Sequence, residues 1–459
     1  MRLLFRNKFF RFMTLSRVLS ALGSSIYNLV FVVFAASMYH SSIAVNIANI
    51  TMALPALFTV FVGMAADKTR EKARWVIVFG FAQAVIFTLV AIVVRQSGWF
   101  AFSVVCLFNV ISDVMGDYGT GLRMPMIQRN VAKDDLMEAF SFSSVMGTLC
   151  SLAGQALGVW ILKISANNYS IVALFNALSF LLASLVLFFI RDMLTYGPSV
   201  EGESGRGSKE GSKRDSTLEK DTAEADFRED GEPQVEGRPQ EGQRPQSEKN
   251  GFISHMKTLF GNLQKIFDQN GEGGFIGLLT TALFINALGG SVEGIYNIYL
   301  LHHSIFSLTY SQSLLLVSVI LVVGQLAGGL TPHDFFAKQS FGTLITLISG
   351  VFLTMGLLNT LNAPVLISLV VYAFGVFLSG KVNPKMSSMI MTSLPADVLA
   401  ETSNLLTLLF TLSIPIGTAL FGTIAAWNVK AGWIVFLVLS VVTLMVALLN
   451  RKGIDGKKR

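Results

Sequence analysis

Twelve long apolar segments follow one another along the chain, separated by short polar connectors. They cover 12–38, 43–65, 75–95, 98–121, 141–163, 169–190, 274–300, 311–331, 341–360, 363–383, 402–426 and 430–450. A helix needs about 20 apolar residues to cross a hydrocarbon core of ~30 Å. No alternating strand pattern runs through the segments, and a helix satisfies its own backbone hydrogen bonds in lipid. The pattern therefore predicts an all-α membrane protein with twelve transmembrane helices.

A polar segment at 192–250 divides these helices into two sets of six. It is rich in Gly, Glu, Ser, Pro, Gln and Arg, a composition that cannot offset the entropy of ordering. We expect a six-helix bundle from 1–191, a disordered linker over 192–250 and a second six-helix bundle within 251–459. Apolar residues recur at helical spacing over 252–267. They predict either an amphipathic helix on the membrane surface or an extension of the seventh transmembrane helix.

The two halves also resemble each other in sequence. The matches are Ala-Leu-Gly-Ser-Ser at 21–25 with Ala-Leu-Gly-Gly-Ser at 287–291, Asp-Asp-Leu-Met-Glu at 134–138 with Asp-Val-Leu-Ala-Glu at 397–401, and Gly154 with Gly417. They fall in corresponding places of two halves that have the same membrane orientation. They therefore predict parallel repeats related by an axis along the membrane normal.

Composition narrows the function classes. Of the 459 residues, 52% are hydrophobic and 14% are charged, against roughly 25% charged residues in an ordinary soluble domain. The segment 201–250 alone holds 23 of the 64 charged residues, so the rest of the chain could not cover itself with polar surface in water. This excludes a water-soluble enzyme, a nucleic-acid-binding module and a disordered scaffold. Both cysteines lie in apolar runs, so we expect no disulfide framework, no metal site and no cofactor.

Lysine and arginine set the orientation of the chain. They cluster at 2–11, 68–74, 123–133 and 451–459, all on one face of the predicted bundle. The opposite face has little beyond Arg95, Lys163 and Lys430. Because basic loops stay on the cytoplasmic side, we expect a multi-pass protein of the cell membrane with both termini in the cytoplasm.

Four of the predicted helices carry an ionisable side chain away from their ends. These residues are Arg17 in the first helix, Asp113 and Asp117 in the fourth, Glu293 in the seventh and Lys381 in the tenth. A charge at mid-bilayer costs roughly 2.5–3.5 kcal/mol on insertion scales. We therefore expect the first and fourth helices of each half to face one water-filled cavity between the halves.

The fourth helix carries the first candidate for proton coupling or substrate binding. Asp113 and Asp117 lie one turn apart on one face, and Asn109 lies one turn before them. Two close carboxylates resist double ionisation, so the pair is suited to holding a single proton. The alternative is an ion pair at the inner mouth with Arg123 or Lys381.

Glu293 is the deepest of these charges, past the middle of the seventh helix. A lone carboxylate among apolar residues suits a reversible proton carrier, and a structural hydrogen bond across helices is the alternative. Arg17 and Lys381 are either cavity residues or side chains that extend to the headgroups. Four further side chains either line the cavity or pack within the bundles: Asn28, Asn297, Tyr27 and Tyr296.

The loop between the second and third helices carries a known pattern. A glycine at Gly63 is followed four residues later by Asp67 and then by a basic cluster. This resembles the loop signature of the major facilitator superfamily, with Arg70 where a glycine is usual. The resemblance implies a transporter with two six-helix bundles, not an enzyme. It also implies a conformational latch on the cytoplasmic side, formed here by Gly63, Asp67, Arg70, Lys72 and Arg74.

The loop from Arg123-Met-Pro125 to Ala139 is similar to the loop after the fourth helix in the macrolide-efflux-like branch of drug:proton antiporters. The spacing of Gly147, Gly154 and Gly158 is similar to the glycine-rich antiporter motif of efflux members, although Gln155 stands where a Gly-Pro pair is usual. This likeness implies proton-coupled efflux of a small amphipathic or drug-like solute by a monomer. Its partners are then the solute, protons and the lipid bilayer, without nucleic acid. An importer of a sugar, peptide or lipid-like solute is the second reading, and an intramembrane prenyltransferase using 109–117 is a remote third.

Overall fold

A computed structural model describes residues 2–39, 41–96, 98–132, 135–194, 260–261, 264, 275–393 and 396–457. Every regular element among them is helical. The first half contains α1 (Arg2–Arg6), α2 (Lys8–Tyr39), α3 (Ser42–Ala53), α4 (Thr59–Lys68), α5 (Lys72–Val93), α6 (Trp99–Asn130), α7 (Leu136–Ile164) and α8 (Tyr169–Phe189). The second contains α9 (Phe275–Tyr299), α10 (Tyr310–Leu330), α11 (Phe341–Thr360), α12 (Val365–Ser393), α13 (Ala396–Trp427) and α14 (Val429–Lys457).

Eleven of the described helices are long and apolar enough to cross a membrane. The twelfth predicted span is broken, because the segments Ser42–Leu57 and Phe61–Lys68 meet at an angle of 46°. The first segment ends in a 3-10 turn at Leu54–Leu57, where Pro55 has no backbone N–H to continue the α-helical hydrogen bonds. With the bent pair taken as one span, the prediction of twelve is confirmed.

Two helices extend beyond the apolar segments that predict them. The fourth predicted span ends at 121, but α6 continues to Asn130 with Pro125 inside it. Likewise the tenth span ends at 383, but α12 continues to Ser393 with Pro384 inside it. Hydropathy marks where a helix leaves the lipid, whereas helical hydrogen bonding continues into the polar region beyond it.

The internal repeat is visible in the helix packing. In the first half α2 packs on α7, α5 on α8 and α4 on α6. The corresponding pairs of the second half, α9 with α13, α11 with α14 and α10 with α12, are also in contact. The matched glycines occupy equivalent places, since a Cβ at Gly154 would meet the carbonyl of Leu22 at 2.9 Å and one at Gly417 that of Ala287 at 2.1 Å. The predicted pair of parallel repeats is confirmed by this packing.

The segment after α8 corrects the predicted start of the linker. Arg191–Met193 forms a 3-10 turn, and the following Leu194 is buried among apolar residues at the basic end of the first half. The described helices belong to one unit formed by 1–195 and 259–459. The rest of the predicted linker, and most of the segment 252–267, lie outside the described residues.

Candidate functional site

Two adjoining cavities lie inside the molecule and share part of their lining. The first, here called the central cavity, has a volume of about 410 Å³ and is lined by both halves, including Gln155 and Glu293. The second, here called the bundle cavity, has a volume of about 470 Å³ and lies within the first half, with Gln83 in its wall. Asn28 and Met52 belong to both linings. The single cavity expected from the sequence is therefore two cavities that share one wall.

Glu293 lines the central cavity and lies in the last third of α9, past the middle of the helix. Its side chain is exposed there, and no hydrogen bond or ion pair holds its carboxylate among the described residues. The helix approaches α13 closely beside it, because a Cβ at Gly290 would lie 2.6 Å from Ile414, and the Thr418 hydroxyl donates to the Gly290 carbonyl at 3.0 Å. The backbone is thus fixed while the carboxylate remains free.

The carboxylates of Asp113 and Asp117 both line the bundle cavity, as their one-turn spacing predicts. Asn109 is buried behind them and donates to Asp113 at 3.5 Å, the limit of a hydrogen bond. Gln83 of α5 donates to the carbonyl of Ser112 at 2.9 Å, which holds α5 and α6 together at this level.

Two guanidinium groups complete the charged lining of the bundle cavity. Arg17 of α2 lines it as predicted. Arg123 also lines it, half-buried, with Nη2 donating to the Ser16 hydroxyl at 3.3 Å and a buried Nε that lacks a hydrogen-bond partner. Sequence reasoning placed Arg123 in a loop because the apolar segment ends before it. Its spacing of six residues from Asp117 within one continuous helix was the available signal.

The four aromatic and amide candidates divide into two kinds. Asn28 lines both cavities, and Asn297 lines the central cavity, where it donates to Asn49 Oδ1 at 2.7 Å. Tyr27 is instead buried in the first half with its ring 4.7 Å from that of Phe87. Tyr296 is likewise buried, its hydroxyl 2.6 Å from that of Ser368. The packing alternative is therefore correct for both tyrosines, because each ring fills the interior of its own bundle.

Lys381 is not a cavity residue, which corrects the sequence prediction. Its ammonium pairs with Asp334 at 2.8 Å and donates to the carbonyls of Gly328 and Thr331 at 3.1 and 2.9 Å. The bonded Lys381 ammonium holds the pKa of the Asp334 carboxyl below its usual value. A buried lysine thus satisfies the last carbonyls of α10, a favourable place for a cation.

The loop from Gly63 to Arg74 contains a similar arrangement. Lys72 is buried and donates to the carbonyls of Ala66 at 2.7 Å and Asp67 at 3.0 Å, at the end of α4. Asp67 and Arg70 are exposed, and Arg74 pairs with Glu71 at 2.9 Å. Space beside Gly63 is open, with nothing within 4 Å of its Cβ position in this conformation. In both halves, therefore, a buried lysine closes the C-terminal end of the second span.

The two halves meet on the side away from these loops, through α3 with α13 and α9 and through α7 with α10. The contacts are polar. Asn46 donates to the Thr423 hydroxyl at 3.3 Å, and Asn49 donates to the Gly294 carbonyl at 3.3 Å while accepting from Asn297. We call Asn49, Asn297 and the Gly294 carbonyl the asparagine bridge. Beyond it lies a further cavity of about 660 Å³ on the far side.

The sequence as a whole matches the model of one protein family. That family is the Major Facilitator Superfamily, and the match extends over residues 13–418. The chain belongs to the Major Facilitator Superfamily. Membership makes it a transporter and not an enzyme, in agreement with the interpretation of the 63–74 loop. Comparison with curated proteins found no match.

Solved structures of superfamily transporters are similar across the whole chain. The nucleoside transporter NupG has a TM-score of 0.57 at 13% identity, with 96% of this chain and 98% of that one covered. A bacterial homolog of the human lysosomal transporter Spinster, inward-facing and occupied, has a TM-score of 0.60 at 12% identity, with 97% and 96% covered. A peptide-bound transporter of the POT family has a TM-score of 0.60 at 12% identity, with 96% and 94% covered. At these identities the likeness shows the fold alone.

Proposed function

We propose that this chain is a proton-coupled secondary transporter that moves a small amphipathic solute out of the cell by alternating access. The observation that supports this most is the unpaired, exposed carboxylate of Glu293 in a cavity between the two halves. An ionised carboxylate at this depth raises the free energy of the protein unless water or a proton stabilises it, so such a residue is a candidate for function. Exchange of a proton with the cavity is the function we assign to Glu293.

The cavity walls supply a mechanism for coupling. Apolar side chains of both halves, among them Leu29, Leu314 and Ile414, line the central cavity with Glu293. An ionised Glu293 requires water and so favours the open cavity. A proton on Glu293 removes that requirement, and the apolar residues of the two halves can then close on a dry interface. The solute and the proton thereby favour different conformations of one cavity.

In our proposal, the asparagine bridge closes the far side in one conformation of the cycle, and the basic-face loops close the opposite side in the other. We take the bridge to hold the far side closed and the bundle cavity, which is lined by Arg17 and Arg123, to open toward the basic face. With the termini in the cytoplasm, this conformation faces inward. In the opposite conformation, the latch residues Asp67, Arg70 and Lys72 are proposed to hold the basic face closed.

The likeness of 123–139 and of the Gly147, Gly154 and Gly158 spacing to efflux members supports outward movement. Peptide and nucleoside transporters of the same fold keep import as the alternative, since those proteins carry such solutes. A panel of amphipathic amines, peptides and nucleosides separates the two in proteoliposomes with an imposed pH gradient. Outward transport requires the solute to move against the proton flow, and import requires it to move with the protons. Solute fluxes that ignore the gradient in both directions contradict the proposed coupling.

A further inference from the structure

The bundle cavity carries four ionisable side chains that are not paired with one another. Arg17, Asp113, Asp117 and Arg123 line one cavity of about 470 Å³. Among the described residues, no ion pair joins either guanidinium to either carboxylate; the pairs that exist lie elsewhere. Direct pairing would offset the desolvation of both signs of charge. Their separation leaves the cavity with a positive end and a negative end.

The positive end is formed by the two arginines. Arg17 of α2 and Arg123 of α6 line the same cavity. Among the described residues, Arg123 donates to the Ser16 hydroxyl at 3.3 Å, and its buried Nε has no hydrogen-bond partner. A guanidinium group presents a planar fork of N–H donors that matches a carboxylate or a phosphate. Two such groups with free donors are suited to an anionic group of a ligand.

The negative end lies deeper in the cavity. Asp113 and Asp117 are one turn apart on α6 and line the cavity together, and the Asp117 side chain is exposed to it. The nearby donors are the Asn109 amide, at 3.5 Å from Asp113, and the Thr59 hydroxyl, which also lines the cavity. Neither donor carries a charge. Ionised carboxylates accept hydrogen bonds only, so an ammonium group is their complementary ligand.

The spacing and the asymmetry between halves define the ligand further. Asp117 and Arg123 are six residues apart on one helix, which separates their Cα atoms by ~9 Å along the axis. The corresponding cavity of the second half, of about 210 Å³, has polar lining residues such as Asn286, Gln325 and Ser379 and no charged one. The charged groups of a ligand would therefore be recognised by the first half and not by the second.

We propose that the bundle cavity binds a zwitterionic solute. Its cationic group contacts Asp113 and Asp117, and its carboxylate or phosphate contacts Arg17 and Arg123. The inference rests on the proposed transport function only for the onward movement of the solute. Binding itself can be measured without transport.

The test compares three probes with the same alkyl chain on the full-length protein in lipid nanodiscs. They are 8-aminooctanoate, which carries both charges, octylamine and octanoate, with empty nanodiscs as the blank in isothermal titration. A charge-assisted hydrogen bond contributes roughly 1.5–3 kcal/mol, so we expect the zwitterion to bind about 10-fold or more tightly than either single-charge probe. 8-Aminooctyl phosphate has the same alkyl chain and ammonium group, so its binding relative to 8-aminooctanoate shows whether phosphate or carboxylate suits the arginines.

Paired substitutions test which end of the bundle cavity binds which charge of the ligand. Arg17→Gln with Arg123→Gln should remove the preference over octylamine, and Asp113→Asn with Asp117→Asn the preference over octanoate. Arg95→Gln with Asp192→Asn removes one charge of each sign away from the cavity and should change neither preference. Arg17→Lys keeps the charge and should keep most of the preference, which separates a folding defect from lost binding.

Equal affinity for the three probes in the unmodified protein overturns the zwitterion proposal. So does a preference that persists unchanged in both double variants. If pH-driven transport of amphipathic solutes is found without a zwitterion preference, the substrate class alone is wrong. If the preference is found and transport ignores the pH gradient, the proposed coupling is wrong and the binding site stands.

Discussion

At the residue scale, the role of a charge at membrane depth depends on whether the protein offers it a partner, as Glu293 shows. Its carboxylate is exposed within the molecule, and in the described part of the chain it has no partner. Lys381 gives the same signal in the sequence, a charge in an apolar run, but its ammonium donates hydrogen bonds to carbonyls at the end of α10. The two cannot be separated from the sequence, because the difference lies in whether another helix offers partners. The sequence did not predict Arg123 as a cavity residue, because α6 continues beyond the end of its apolar segment.

Replacing Glu293→Gln should abolish proton-driven transport in proteoliposomes, because the amide cannot exchange a proton. The folded protein should survive, with stability changed by no more than about 0.5 kcal/mol, since no protein partner of the carboxylate is lost. Asp192→Asn, an exposed position paired with Arg191 away from the cavities and the latch, is the control. Undiminished proton-driven transport in the Glu293 variant would remove the residue from the coupling mechanism.

Replacing Lys381→Met should lower stability by roughly 1–3 kcal/mol, because the Gly328 and Thr331 carbonyls lose a charged donor. Lys338→Met is the matched control, because Lys338 is exposed in the loop that follows α10. The apparent melting temperature in detergent measures both.

The same comparison has a definite pH dependence. The pKa of Asp334 is lowered by Lys381 from its ordinary 3.8, so the ion pair contributes fully above pH 3.8 and is lost as pH falls through the lower folded value. The difference between wild type and Lys381→Met should therefore be constant from neutral pH to about pH 5 and shrink only in stronger acid. A difference that already declines between pH 8 and 6 would contradict this assignment.

At the element scale, close helix contacts depend on small residues. On α7, a Cβ at Gly158 would lie 2.5 Å from the Ile26 carbonyl of α2. Gly154 of α7 also meets α2 closely, and Gly417 of α13, 263 residues later, meets α9 in the same way. The sequence predicted the equivalence of Gly154 and Gly417, because the packing of a repeat constrains the same positions twice. It did not predict the break between α3 and α4, because an apolar run with one proline reads as continuous.

Gly158→Ala should destabilise the protein by roughly 1–3 kcal/mol, because backbone atoms of α2 cannot move aside for the new methyl group. Gly147→Ala is a control on the same helix, since nothing lies within 4 Å of its Cβ position. It should be neutral or stabilising, as alanine favours a helix over glycine by about 1 kcal/mol. Thermal unfolding in detergent compares the two. Equal melting temperatures for both variants would mean that α2 and α7 do not pack as described.

At the scale of the whole molecule, the asparagine bridge joins the two halves between the central cavity, which it helps to line, and the cavity of about 660 Å³ on the far side. The family resemblance anticipated two bundles around a central pathway. It did not indicate which side is closed, because both conformations share one sequence. That information lies in contacts between the halves, such as the asparagine bridge and the packing of Gly422 against Asn46.

Gly422→Val should shift the protein away from this conformation, because a Cβ there would lie 2.3 Å from the Asn46 side chain and disturb its bond to Thr423. A cysteine at Ser25, in the central cavity, reports the change. A population shift of about 1.4 kcal/mol increases its labelling rate from the far side ~10-fold. Gly350→Val, where the space is open, is the control. An unchanged rate would show that this contact does not hold the far side closed.

The account depends on the deep charges facing one water-filled pathway. Glu293→Cys and Asp117→Cys, made singly after replacing the buried native Cys106 and Cys150, report this through a membrane-impermeant charged thiol reagent added from the basic face. Val85→Cys is the control, since its exposed side chain lines neither the central nor the bundle cavity. We predict rapid labelling at 293 and 117 and protection at 85. Protection of 293 and 117 to the same degree as 85 would contradict the account.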